Sequence, residues 1–148
     1  MNKLAVPAVA TLALLVSACP LYDAGTAFYS STSLEEITYW VANNIDYEED
    51  ISQYGESDYW ATPQETIDSG EGDCEDFAVL IAYIFYSNTG EKVEFSYQET
   101  ELARHFAVKH EGLYYDPSKY FMLVSATPLL PEISIWSYDF IMSIAIHK

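Results

Sequence analysis

Positive charge is scarce in this chain. Lys and Arg number 6 against 23 Asp and Glu, for a formal net charge of −17, and neither basic residue occurs between Lys3 and Lys92. A surface this acidic repels phosphate, so no nucleic-acid partner is expected. Basic or polyamide partners and divalent cations suit it better. Cysteine is scarcer still. Cys19 and Cys74 are the only two, too few for a disulfide scaffold. Long hydrophobic runs are also missing. Leu4–Val16 covers 13 residues and is interrupted by Pro7 and Thr11, short of the ~20 residues a bilayer-spanning helix needs. What is present is apolar: 50% of the 148 residues are hydrophobic and 16% aromatic. That excludes a disordered polyanion and gives material for one domain.

Lys3 followed by the run Leu4–Val16 has the layout of an export signal over residues 1–18. Val16-Ser17-Ala18-Cys19 resembles a bacterial lipobox. The resemblance implies cleavage before Cys19 and lipidation of its thiol and new amino group. The product is an exported lipoprotein held on a membrane in the bacterial periplasm or at the cell surface. The alternative is an ordinary signal peptide cut after Ala18, with Cys19 left free. With Cys19 lipidated, Cys74 is the one remaining thiol in an oxidising compartment, either buried and inert or functional.

Residues 19–32 read as a tether and 33–148 as the folded domain. Ser33-Leu34-Glu35-Glu36 predicts a reciprocal capping box, followed by Leu34, Ile37, Trp40, Val41 and Ile45 at helical spacing. Asp46 to Tyr59 reads as an acidic loop, its run Asp46, Glu48, Glu49, Asp50 solvated rather than a ligand cage. Thr62-Pro63-Gln64-Glu65 starts a short helix with proline at its first position, ending at Ser69-Gly70. Asp73 is positioned to cap a helix from Cys74 to about Ser87. The stretch Phe77 to Tyr86 is apolar on all sides, which predicts burial. Val93, Phe95 and Tyr97 then alternate as on a strand. Glu111-Gly112 predicts a tight hairpin between His105–Lys109 and Leu113–Asp116. Tyr120 to Lys148 reads as mostly strand. Helices followed by strands indicate an α+β domain.

Cys74 falls in the first turn of the buried helix, where exposed N–H groups favour a thiolate and can bind an oxyanion. Gly70 and Gly72 would let the backbone approach a ligand closely. The bland reading of Cys74 is a small buried hydrophobe. Acidic neighbours at Asp73, Glu75 and Asp76 argue against deep burial of its sulfur. A thiolate nucleophile needs a base and a group to orient that base. With a turn at Glu111-Gly112, Ala107 pairs with Asp116, and His105 lies diagonally across on the same face, within reach. His110 falls on the opposite face, and His147 is near the terminus. By register His105 is the better base. Otherwise His105 is a strand histidine, and Asp116-Pro117-Ser118 is turn chemistry.

Asp58-Tyr59-Trp60-Ala61-Thr62-Pro63-Gln64-Glu65 and Gly70-Glu71-Gly72-Asp73-Cys74-Glu75-Asp76-Phe77-Ala78 resemble the nucleophile region of bacterial transglutaminase-like cysteine peptidases of the LapG type. His105 and Tyr115-Asp116-Pro117 resemble the later catalytic elements more loosely. The resemblance implies a papain-like or transglutaminase-like core, with the nucleophile's buried helix packed on an antiparallel sheet. It also implies a Cys74, His105, Asp116 triad and a Ca²⁺ site at Asp73 and Glu75, with Asp76. The sequence departs from the family where Phe106 follows His105, in the short His-to-Asp interval, and in the abbreviated chain before Trp60. The Cys74 N–H is the assignable half of an oxyanion hole.

Electrostatics give a separate reason to expect a cation. Each carboxylate ~6 Å from the sulfur costs the thiolate about 0.7 kcal/mol in a water-like medium, and a bound Ca²⁺ would offset that. No organic cofactor is expected. The activity expected is hydrolysis of peptide or amide bonds in an envelope protein substrate. A transglutaminase-type acyltransferase and a non-catalytic envelope binding lipoprotein are the alternatives.

Overall fold

The computed structural model describes residues 29–118 and 123–146. Met1 to Phe28, with Cys19 and the expected export signal, lie outside these residues, as does His147. Tyr29 to Thr32, the described end of the 19–32 segment, are docked on the domain. Tyr29 stacks on Trp40 at 5.8 Å, and Asn88 Nδ2 donates to the Tyr29 and Ser31 carbonyls, each at 2.8 Å.

Helix α1 (Leu34–Asn44) buries Leu34, Ile37, Thr38 and Val41 along one face. Ser33 caps it by accepting from the Glu36 N–H at 3.4 Å. The reciprocal half of the expected box is not made. The Glu36 carboxylate accepts the Ser31 hydroxyl at 2.6 Å instead, and Ser31 Oγ takes the Ser33 N–H. The expected loop after α1 contains two small elements, β1 (Asp46–Tyr47) and α2 (Asp50–Gln53). Helix α3 (Pro63–Ser69) has the full capping box between Thr62 and Glu65 and stops at Gly70, whose φ is 72°. Strand β2 (Glu71–Gly72) pairs parallel with β1.

Helix α4 (Cys74–Thr89) runs through the centre of the domain. Phe77 to Ala82 are all at most 2% exposed, as their all-round apolar character predicts. Each Leu or Ile fully buried there contributes about 1.5–3 kcal/mol. The helix packs on α1, α3 and a five-stranded antiparallel sheet of order β6-β5-β4-β3-β7. These strands are β3 (Glu94–Glu99), β4 (Arg104–His110), β5 (Leu113–Tyr115), β6 (Val124–Ser125) and β7 (Glu132–Ser137). Phe95, Phe106, Val108 and Tyr115 face α4 in the core.

The other face of the sheet carries a half-buried polar network. Glu132 accepts from Ser96 Oγ at 2.8 Å, Lys109 Nζ at 3.0 Å and Tyr114 OH at 3.0 Å. Gln98 Oε1 accepts from the Leu130 N–H at 2.9 Å, tying the preceding loop over this face. The reading of Tyr120 to Lys148 as mostly strand is corrected by α5 (Tyr138–Ile146). Tyr138, Ile141, Met142 and Ala145 are its buried residues, at helical spacing, and burial of that stripe outweighs β-branched propensity. No helix among the described residues is long and apolar enough to cross a membrane. The architecture is α+β, with the Cys74 helix buried against an antiparallel sheet.

Candidate active site

Cys74 is the first residue of α4 and is half-buried. Its position is set by a tight junction between β2 and the first turn of α4. Asp76, fully buried, accepts the Ala61 N–H at 2.8 Å and pins the segment before α3 onto the helix. Gly72 has no room for a side chain, because Asp76 fills the space a Cβ would occupy. Gly72 therefore serves the packing of the helix, and Gly70 closes α3 in the left-handed region. Asp73 is the N-cap residue, but its side chain makes no capping hydrogen bond. It turns instead toward neighbouring carboxyls.

His105 lies on β4 and Asp116 just beyond β5. Glu111 and Gly112, with φ of 50° and 79°, form the two-residue turn between the strands. Val108 stands opposite Tyr115, so the next step of the ladder puts Ala107 beside Asp116. His105 Nε2 meets Asp116 Oδ2 at 2.6 Å, with both residues buried. Ser118 donates its hydroxyl and its N–H to Asp116 Oδ1, at 2.6 and 3.0 Å. Burial would raise the Asp116 pKa. The hydrogen bonds from His105 and Ser118 and the His105 charge outweigh it and hold the carboxyl below its usual range.

Cys74 and His105 line one cleft of about 780 Å³. The Phe106 N–H, next to His105 on β4, acts on the Cys74 sulfur and favours its thiolate. The opposing influences are larger. Burial first, then Glu75 and Asp73, push the thiol well above the ordinary range. The thiol donates to Glu75 Oε2 at 3.1 Å. With Nε2 committed to Asp116, Nδ1 is the imidazole nitrogen left for a thiol. One wall of the cleft is aromatic, made by Trp60, Tyr97, Phe106 and Trp136. His110 is elsewhere, its ring edge-on to Phe85 at 5.5 Å.

The acidic residues expected beside the cysteine do converge, and two more join them. Asp50, Asp73 and Asp76 bring carboxylate oxygens within 4.8 Å of one another, as do Asp50, Asp58 and Glu75. Asp50 is 3% exposed, so the run from Asp46 to Asp50 is not wholly a solvated loop. Pairing of β1 with β2 carries Asp50 inward, and its carboxylate takes the Tyr59 N–H. Nothing in the acidic run itself distinguishes Asp50 from its neighbours. Burial and then Glu75 push the Asp73 carboxyl up to about 9. Burial raises Asp76 to about 7 against the lowering pull of the Ala61 N–H. Asp73 Oδ1 and Asp76 Oδ2 are buried without a hydrogen-bond partner. An all-oxygen donor set with unsatisfied carboxylate oxygens fits a hard divalent cation.

A family model described as a transglutaminase-like domain matches residues 27–125, a stretch that contains Asp50, Cys74, His105 and Asp116. The chain belongs to the transglutaminase-like family. Its fold is similar to that of Legionella pneumophila LapG. One LapG structure is 24% identical, with a TM-score of 0.54, over 72% of this chain and 67% of that one. The calcium-bound form is 23% identical with a TM-score of 0.55, over 72% and 67% of the two chains. The EGTA-treated form is 23% identical with a TM-score of 0.53, over 70% and 64%. Among curated proteins none matches significantly. The matched region thus contains both the Cys74–His105 cleft and the acidic residues Asp50, Asp58, Asp73 and Glu75 that line it.

Proposed function

We propose that this transglutaminase-like protein is a cysteine peptidase, hydrolysing peptide or amide bonds of a protein substrate through Cys74, His105 and Asp116. The observation that carries this reading is the buried His105–Asp116 hydrogen bond at 2.6 Å, made by a histidine that shares its cleft with Cys74. Asp116 engages Nε2 of the imidazole, which leaves Nδ1 to serve the thiol. His105 takes the Cys74 proton, and the thiolate attacks the carbonyl carbon. The oxyanion forms at the start of α4, where the Cys74 N–H has no carbonyl partner in the helix. His105 returns the proton to the departing amine, leaving a thioester on Cys74. It then deprotonates the water that releases the acid.

Glu75 and Asp73 oppose the thiolate. Asp50, Asp58, Asp73 and Glu75, with Asp76 behind them, would hold Ca²⁺, the ion named for one of the similar LapG structures. That ion, when bound, supplies the positive charge that offsets the carboxylates beside the sulfur. Glu75 is the residue best placed to couple the two sites, since its carboxylate touches the thiol and belongs to the cluster.

Anchoring is part of the same reading. The segment Val16–Cys19 supports lipidation of Cys19 and delivery to a bacterial membrane surface. Cys19→Ser is expected to move the protein from the membrane to the soluble fraction. Retention on the membrane would contradict the anchor. For the reaction itself, envelope proteins are incubated with the wild type or Cys74→Ala, and new termini are sought. Incorporation of a labelled amine without net cleavage would favour acyl transfer. Full biological activity of Cys74→Ala would favour a binding protein.

A further inference from the structure

The Asp116 carboxylate is gripped at both oxygens. Oδ2 is committed to His105 and Oδ1 to Ser118, whose hydroxyl and N–H both donate to it. The backbone here is secured separately, because the Asp116 N–H donates to the Leu123 carbonyl at 2.9 Å. The turn therefore has a hold that does not involve the Ser118 hydroxyl. A carboxylate torsion is broad and two-fold, and the Ser118 hydroxyl, at 2.6 Å against 3.0 Å for the N–H, makes the shorter of the two Ser118 bonds to Oδ1. Donors at both ends define the carboxylate plane well. A hydroxyl 2.6 Å from a carboxylate oxygen is in the range of charge-assisted bonds, which favour the ionised form. Pro117 fixes the intervening φ and carries Ser118 back toward Asp116.

We propose that Ser118 is a positioning residue: its hydroxyl fixes the plane of the Asp116 carboxylate, and through Asp116 the orientation of the His105 imidazole. The catalytic consequence rests on the functional reading above, but the positioning can be read without turnover. Glu75 and Asp73 share the cleft with His105 and stay unchanged in every variant compared. The cross-strand neighbour of His105 is the neutral Gln98.

The test follows the His105–Asp116 hydrogen bond by NMR in the full chain, through the His105 ring N–H proton, assigned with His105→Ala. Ser118→Ala is expected to move that proton upfield and to speed its exchange with water about three- to tenfold, because a carboxylate held less firmly makes a longer bond. Ser118→Thr, which keeps the hydroxyl, is expected to leave both near the wild-type values. Under the peptidase reading, Ser118→Ala also lowers kcat by about three- to tenfold with KM unchanged, and Thr restores it. An unchanged resonance in folded Ser118→Ala, or an equal change in Ala and Thr, overturns the proposal. If the resonance moves as stated but no Cys74-dependent hydrolysis exists, positioning stands and the functional reading fails. If hydrolysis exists and Ser118→Ala matches the wild type in resonance and kcat, the positioning alone fails.

Discussion

Gly72 and Asp76 are packed in direct contact. A Cβ built on Gly72 would lie 2.9 Å from the Asp76 Cβ and 3.3 Å from Thr66 Cγ2. The first of these is the stem of a buried side chain rather than a flexible tip. The contact holds β2 against the first turn of α4, and so fixes where Cys74 begins the helix.

Gly72→Ala is accordingly expected to destabilise the domain by about 1–3 kcal/mol, the usual cost of overpacking a tight site. The thermal midpoint should fall by several degrees. A midpoint equal to the wild type would show that the junction yields freely and that Gly72 does not set the position of Cys74.

Cation removal should change how stability responds to pH. Without a cation, Asp73 is pushed up to about 9 and Asp76 to about 7, against about 3.9 in an unfolded chain. The folded state then holds protons that the unfolded state has released, so stability falls as pH rises from about 4 toward 9. Saturating Ca²⁺ displaces those protons and should flatten the fall. Thermal midpoints from pH 5 to 8.5, with chelator and with Ca²⁺, check this. Parallel slopes in the two series would remove the acidic cluster as a cation site.

The cluster also predicts which residues bind. Asp50→Asn and Asp58→Asn should each weaken Ca²⁺ binding by calorimetry, by about tenfold or more for the buried Asp50. Asp46→Asn and Glu49→Gln, both on exposed residues, should leave it unchanged. Equal heats for Asp50→Asn and the wild type would exclude the ligand set given above.

Much of this site is legible in the sequence because local rules govern it. The hairpin register follows from a two-residue turn at Glu111-Gly112, and that register alone brings His105 within reach of Asp116. The capping box at Thr62 and the apolar stretch of α4 are likewise local signals. What the sequence conceals depends on pairing between distant segments. Asp50 becomes buried only because β1 pairs with β2 some 25 positions later. The Ser33 box is half-made because Ser31, itself docked through Asn88, competes for Glu36. The last segment has strand-like composition, yet it forms α5 because its apolar stripe is buried at helical spacing.

Glu75 should restrain the thiol when no cation is present. Its carboxylate accepts the Cys74 hydrogen at 3.1 Å. Removing one nearby negative charge lowers a thiol pKa by about half a unit. In chelator, Glu75→Gln should therefore react with iodoacetamide about threefold faster than the wild type. An equal or slower rate would mean that Glu75 does not control the thiol.

The two described histidines should separate cleanly. His105→Ala is expected to lower Cys74-dependent hydrolysis by at least ~10²-fold, the low end of what a positioned base contributes. His110→Ala is expected to keep near-wild-type rates, since His110 packs on Phe85 away from the cleft. The reverse pattern would reassign the base.

The most direct test of the whole account is intact-mass spectrometry of the Ca²⁺-loaded protein, acid-quenched during reaction with envelope-derived peptides. The account predicts an acyl adduct on Cys74 that decays as cleaved product appears, is absent in Cys74→Ala, and is nearly abolished in His105→Ala. Cleavage that persists in Cys74→Ala, or no adduct and no cleavage from any peptide tested, would contradict it.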